Sequence, residues 1–130
     1  LSNWNNFPQP VKYAGFQMLE NSLNDTLTAP FIIYIPENYD NHKKTPLLIY
    51  LHGGVGRKEF VENFRQFAVE SPFIPFAEEN NWIMLFPAAN IKTMWWDKIG
   101  MENIEAQILY LKSLFNIDDD RVFMTGFSDG

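Results

Sequence analysis

The sequence predicts an α/β fold: a mostly parallel sheet with helices on both faces. Three observations carry that expectation. Apolar segments of strand length alternate with segments whose apolar residues recur at helical spacing, in the order strand, helix, strand, helix, strand. The strands of that series, residues 47–51, 82–86 and 122–125, are apolar on both sides of the pleat, as strands covered on both faces must be. Two glycine-containing turns, His52-Gly53-Gly54 and Gly126-Phe127-Ser128-Asp129-Gly130, each follow directly on one of those strands.

Taken in order, residues 1–12 read as an irregular arm, asparagine-rich and broken by Pro8 and Pro10, with Trp4 and Phe7 as surface anchors. A strand is expected over 13–20 with Phe16 and Met18 on one face, then a turn region over 21–30. Asn24-Asp25-Thr26 within it matches the N-glycosylation pattern, and a plain polar turn is the preferred reading. Residues 31–35 form a strand ended by Pro36, and 37–44 a charged loop. Two short strands ahead of a wholly apolar one suggest an antiparallel start feeding a parallel sheet. A helix is expected over 57–70, because Phe60, Phe64, Phe67 and Ala68 make one stripe. Pro75 opens a short helical turn through Glu79, since proline suits the first helical position. The strand 82–86 closes at Pro87, and a loop over 88–100 carries Trp95-Trp96-Asp97. A second helix over 101–115 places Ile104, Ile108, Leu111 and Phe115 on one face, and 116–120 is the turn into the last strand. Right-handed crossovers follow from the parallel pairing.

Composition bounds the function. A chain of 130 residues with 46% hydrophobic and 16% aromatic content can bury a core, which argues for a packed globule and against disorder. The net charge of −6, with both signs interspersed, argues against nucleic acid as a partner. With no cysteine there is no disulfide, thiolate metal site or cysteine nucleophile. No apolar run is long enough for a membrane span. The first residue is Leu1, not Met, so the compartment stays open between cytoplasm and secretion after signal-peptide removal.

The closing turn fits Gly-x-Ser-x-Gly, which has a mechanical meaning only after a strand. There a sharp reversal into a helix forces the serine into a strained conformation with its hydroxyl above the sheet. Small residues, Gly126 and Gly130, are required on either side. The loop Leu51-His52-Gly53-Gly54 is the natural complement, because an oxyanion needs two preorganised N–H donors and a bare backbone can approach it.

With both motifs in register, the chain resembles the α/β-hydrolase family, over about residues 13–130 and so nearly all its length. Its wording around the His-Gly-Gly loop and along "Asp-Arg-Val-Phe-Met-Thr-Gly-Phe-Ser-Asp-Gly" is most similar to carboxylesterases, feruloyl-type esterases and polyhydroxyalkanoate depolymerases. The resemblance implies that residues 13–130 are the amino-terminal half of one hydrolase domain, truncated after the strand that leads into the turn. It implies a serine hydrolase cleaving a small-molecule or polymer-linked ester through an acyl-enzyme, with no cofactor and no metal. Ser128 is then the catalytic nucleophile; the competing reading is a serine that caps the next helix. Gly54 and Asp129 supply oxyanion N–H groups, with Val55 as the neighbour of Gly54 in that role, while His52 and Gly53 support the loop. The Asp129 carboxylate is expected to face outward or cap a helix. Trp95 and Trp96 stand open between lining a substrate pocket and ordinary packing.

In this family the acid and histidine follow the serine in sequence. His42 and His52 both precede Ser128, so the acid and base are expected beyond Gly130, within a remainder of the domain. The 130 residues alone are therefore expected to be inactive and poorly soluble. Asp118-Asp119-Asp120 lacks the spacing of a calcium loop, and a turn with Arg121 nearby is the preferred reading. Two alternatives remain open: a serine peptidase of prolyl-oligopeptidase type, and a hydrolase-fold protein that binds without turnover.

Overall fold

A computed structural model describes residues 14–24 and 27–130. The expected arm, with Trp4 and Phe7, lies outside the described residues, as do Tyr13, Asp25 and Thr26. At the centre of the sheet are two strands with no exposed residue, β3 (Thr45–Leu51) and β4 (Ile83–Pro87), which run parallel to each other. Ahead of them β1 (Gly15–Asn24) and β2 (Leu27–Ile35) form an antiparallel hairpin, and β2 pairs antiparallel with β4. The last strand, β5 (Ile117–Gly126), runs parallel to β3, giving the order β1-β2-β4-β3-β5. This is the antiparallel start and parallel continuation that the sequence predicts.

Two-residue alternation sorts the strand side chains to the two faces. Phe31, Ile33, Leu47, Ile49 and Leu85 point to one face, where Ile104, Leu111 and Phe115 of the α3 region (helix Lys98–Leu114) cover them. Ile32, Leu48, Met84 and Phe86 point to the other, covered by Phe64 and Ala68 of α1 (Phe64–Val69) and Ala77 of α2 (Ile74–Asn80). Each such side chain stabilises the fold by about 1.5–3 kcal/mol on full burial. Pro75 lies in the first turn of α2, and Asn81, left-handed at φ 63°, ends it.

Four expectations are corrected. The helix expected over 57–70 spans only Phe64–Val69. Its front half is drawn into tertiary contacts: the Arg57 carbonyl accepts the Ile91 N–H, and the Lys58 carbonyl accepts the Asn90 side-chain amide. The turn region expected over 21–30 is mostly strand, with pairs Asn21↔Ala29 and Ser22↔Thr28. Asn21, a turn former by type, is buried and bonded to Asn103 and Gln107 of α3. Helix α3 starts at Lys98, because Gly100 serves close packing: a β-carbon there would stand 2.0 Å from the Met94 carbonyl oxygen. Finally, residues 116–120 are not a simple turn. Thr45 pairs with Ile117, and pairing resumes at Leu47 with Val122, so Pro46 stands against residues 118–121, which form a bulge within β5. Proline has no N–H to give the ladder, which accounts for the break at that point. Within the bulge Asp118 accepts from the Asp120 N–H and from Arg121 Nε, holding its carboxyl below the ordinary range.

The strand before the serine reads as buried from its sequence, yet Phe123 and Met124 are exposed. Among the described residues β5 pairs on one side only, with β3. Trp82 stacks on Phe123 with ring centroids 5.3 Å apart. No helix among the described residues is long and apolar enough to cross a membrane.

Candidate functional site

The parallel pairs Leu47↔Val122 through Leu51↔Gly126 bring the ends of β3 and β5 side by side, so the two glycine turns meet. The Phe127 N–H donates to the Leu51 carbonyl at 3.1 Å, and the Gly130 N–H closes the turn on the Phe127 carbonyl at 3.0 Å. Ser128, at the apex, has φ 58°. A serine in left-handed backbone is strained, which is what a sharp strand-to-helix reversal demands of its central residue. The glycines around it permit the reversal. A β-carbon on Gly126 would stand 2.1 Å from the carbonyl carbon of Gly130, and one on Gly130 would stand 2.1 Å from the Leu51 oxygen. One on Gly53 would stand 2.9 Å from Ser128 Cβ and 3.5 Å from the Asp129 nitrogen, so Gly53 lies directly against the serine turn.

The first loop is held by His52, whose side chain is 2% exposed. The Ala89 N–H donates to Nε2 at 3.1 Å, so that nitrogen carries no proton. The proton is therefore on Nδ1, which donates to the Gly53 carbonyl at 2.6 Å. Burial disfavours the charged ring and lowers its pKa, offset in part by the bond to Gly53. Phe64, Phe67 and Trp95 surround the ring edge-on. With both nitrogens engaged, His52 has none left to accept a proton from Ser128. His42 precedes β3 at the opposite end of the sheet, roughly 20 Å from the serine turn at about 3.3 Å per strand residue. There it sits exposed beside Asp40, 3.1 Å away.

Trp95 resolves to packing. It is 8% exposed, and its Nε1–H donates to the His52 carbonyl at 3.0 Å, bracing the loop from below. Trp96 is 57% exposed and does not border the cleft beside the loop. That open cleft, about 940 Å³, is lined by Gly53, Gly54, Arg57, Val61, Asn63 and Arg65 among others. The loop's support by Trp95 and by the Ala89 backbone was not legible in the sequence. Its only trace was a tryptophan pair in the loop after a buried strand.

Asp129 is an exposed residue whose carboxylate has partners that the sequence did not suggest. Oδ2 accepts the Gly54 N–H at 3.1 Å and the Val55 N–H at 3.4 Å, bridging the two turns. Gly54 has φ +68°, and that left-handed residue turns its N–H and the next one toward the same oxygen.

The sheet order, the mixed pairing and the placement of the turns define the α/β-hydrolase fold over the part that this chain covers. No family model and no curated protein matches the sequence. Solved structures do. A thermostable esterase superposes with a TM-score of 0.66 at 21% identity, over 88% of this chain and 35% of that one. An acetyl xylan esterase from Aspergillus awamori gives 0.67 at 18% identity, over 89% and 43%. An S-formylglutathione hydrolase from Agrobacterium tumefaciens gives 0.63 at 15% identity, over 95% and 53%. The chain thus spans about a third to a half of the structures it resembles. At these identities the likeness establishes the fold.

Proposed function

We propose that the chain belongs to a serine hydrolase that cleaves carboxylic esters through an acyl-enzyme. One observation carries the reading: Ser128 is held left-handed at the end of a parallel strand, against a glycine loop whose N–H groups converge on an anion. The esterases among the similar structures add support from the fold. Ser128 Oγ attacks the ester carbonyl carbon while its proton passes to a histidine contributed from outside residues 1–130. The negative charge that develops on the carbonyl oxygen is met by the N–H of Asp129 and by that of Gly54 or Val55. Each such donor is worth about 3–4 kcal/mol in the transition state. Collapse expels the alcohol, which takes the proton from the histidine, and water then releases the acid by the reverse sequence. His52 and Trp95 position the loop and transfer no proton. The open cleft beside Gly53 and Gly54 offers room for one side of the ester.

The test is covalent. In the full-length protein a fluorophosphonate should label Ser128, mapped by mass spectrometry, and Ser128→Ala should abolish both the adduct and p-nitrophenyl acetate turnover. An adduct at another residue, or one that persists in the variant, overturns the assignment.

A further inference from the structure

The carboxylate of Asp129 stands on the loop N–H groups to which the esterase reading gives the substrate oxyanion. Its Oδ2 accepts from the two successive loop N–H groups, Gly54 and Val55, and it hangs from the residue whose own N–H completes the set of donors. The arrangement does not follow from the need for a small turn, since the residue after Ser128 contributes to that turn only its backbone. Nor is it an ion pair: among the described residues no cation is paired with this carboxylate, and the two amides hold it. Two amides, at 3.1 and 3.4 Å, are directed at one anionic oxygen, and the charge on that oxygen strengthens each contact over a neutral acceptor at the same distance. A substrate carbonyl oxygen is neutral on arrival and competes poorly with a carboxylate for the same donors. A carboxylate that stayed in place would also repel the charge that develops on that oxygen.

We infer that Asp129 is an internal lock on the anion hole. Its carboxylate fills the loop N–H pair in the resting enzyme, keeps the loop ordered without substrate, and swings out by side-chain rotation before the ester carbonyl is polarised. The inference rests on the esterase reading for its kinetic consequence, but the occupied anion site stands on its geometry alone. No bond is made or broken in the switch. The backbone N–H of Asp129 is retained whatever side chain it carries, so the lock can be removed while its donor stays.

The experiment uses the full-length protein and the variants Asp129→Asn and Asp129→Ala. With the fluorophosphonate, both should label Ser128 at least about threefold faster than the wild type, because the competing charge-assisted bonds are gone. A second readout does not depend on the serine. In a Ser128→Ala background, sodium butyrate should shift the Gly54 and Val55 amide resonances at several-fold lower concentration once Asp129 is Asn. Labelling in Asp129→Asn that is equal to or slower than the wild type overturns the lock, whatever the melting temperature does. Unchanged butyrate affinity overturns it as well. Absence of labelling in every variant, with butyrate affinity raised as expected, removes the esterase reading and leaves the anion site standing.

Discussion

Substituting alanine at Gly126, Gly53, Gly54 and Gly56 should give a graded series, set by the space each β-carbon would find. At Gly126 that carbon meets the Gly130 carbonyl carbon at 2.1 Å, where ordinary contact begins at 3.4 Å, so backbone must move by about 1.3 Å. Both partners are main chain, and no side chain can give way. The displacement falls on the segment that holds Ser128, and a misplacement of about 1 Å at a reacting group can cost roughly 100-fold in rate. Gly126→Ala should therefore lower kcat/KM by about two orders of magnitude or more. Gly53→Ala meets Ser128 Cβ at 2.9 Å and the Phe127 oxygen at 3.1 Å, a milder conflict that should cost less. Gly54→Ala has open space, its nearest atom 3.9 Å away, but φ +68° imposes about 1–2 kcal/mol of backbone strain. Gly56→Ala, with nothing within 4 Å, is the control and should be neutral. The assay is p-nitrophenyl acetate hydrolysis by the full-length protein, with thermal melting to separate local from global damage. If Gly126→Ala retained the activity of Gly56→Ala, the close approach of Gly126 to Gly130 within the serine turn would be refuted.

Three further outcomes are expected. Burial keeps the ring of His52 neutral when folded and holds its pKa below the ordinary 6.5, so the unfolded chain takes up a proton first as pH falls. Its contribution to stability is present above pH 6.5 and is lost below it, with a slope approaching about 1.4 kcal/mol per pH unit until the folded ring also protonates. Urea midpoints measured from pH 7.5 to 5.5 should show that slope in the wild type and a flatter one in His52→Asn, and equal slopes would contradict the buried neutral ring. Trp95→Phe removes the donor to the His52 carbonyl, costs about 1–3 kcal/mol of stability, and should lower kcat more than it raises KM. An effect on KM alone would place Trp95 in a substrate pocket after all. Asn21→Ala leaves Asn103 and Gln107 without their cross-element partner and should lower stability by about 1–3 kcal/mol, read by urea denaturation, with the labelling rate of Ser128 unchanged.

What could be read from the sequence was whatever local pattern decides. β3 and β4 are uniform apolar runs, and only a strand covered on both faces needs that. The stripe of α3 survives to within three residues because Ile104, Ile108 and Leu111 set it and Gly100 does not interrupt it. The serine turn was legible because its glycines are steric requirements, each matched by a clash distance. The failures are non-local. Nothing near Arg57 announces that its carbonyl is needed by Ile91, so a good helical stripe was extended through a loop. Asn21 has the chemistry of a turn, and its burial depends on Asn103 and Gln107, 82 and 86 residues away. A signal for that contact existed: two amide side chains four apart on an otherwise apolar helical face require a polar partner. The partners of the Asp129 carboxylate were hidden for the same reason, since they lie on a loop more than seventy residues earlier.

The bulge of residues 118–121 opposite Pro46 lies in the first part of β5, ahead of the ladder that carries the serine turn. The height of Ser128 above the sheet is fixed by the ladder from Val122 to Gly126 and by the bond from Phe127 to Leu51, all of which lie after the bulge. A residue gained or lost at 119 or 120 should disturb the bulge and its Lys112–Asp119 ion pair before it disturbs the ladder. The chain thus contains a joint that insulates the most exacting turn of the molecule from variation in the segment delivering it. Drift in length there is absorbed at the periphery before it can reach the serine.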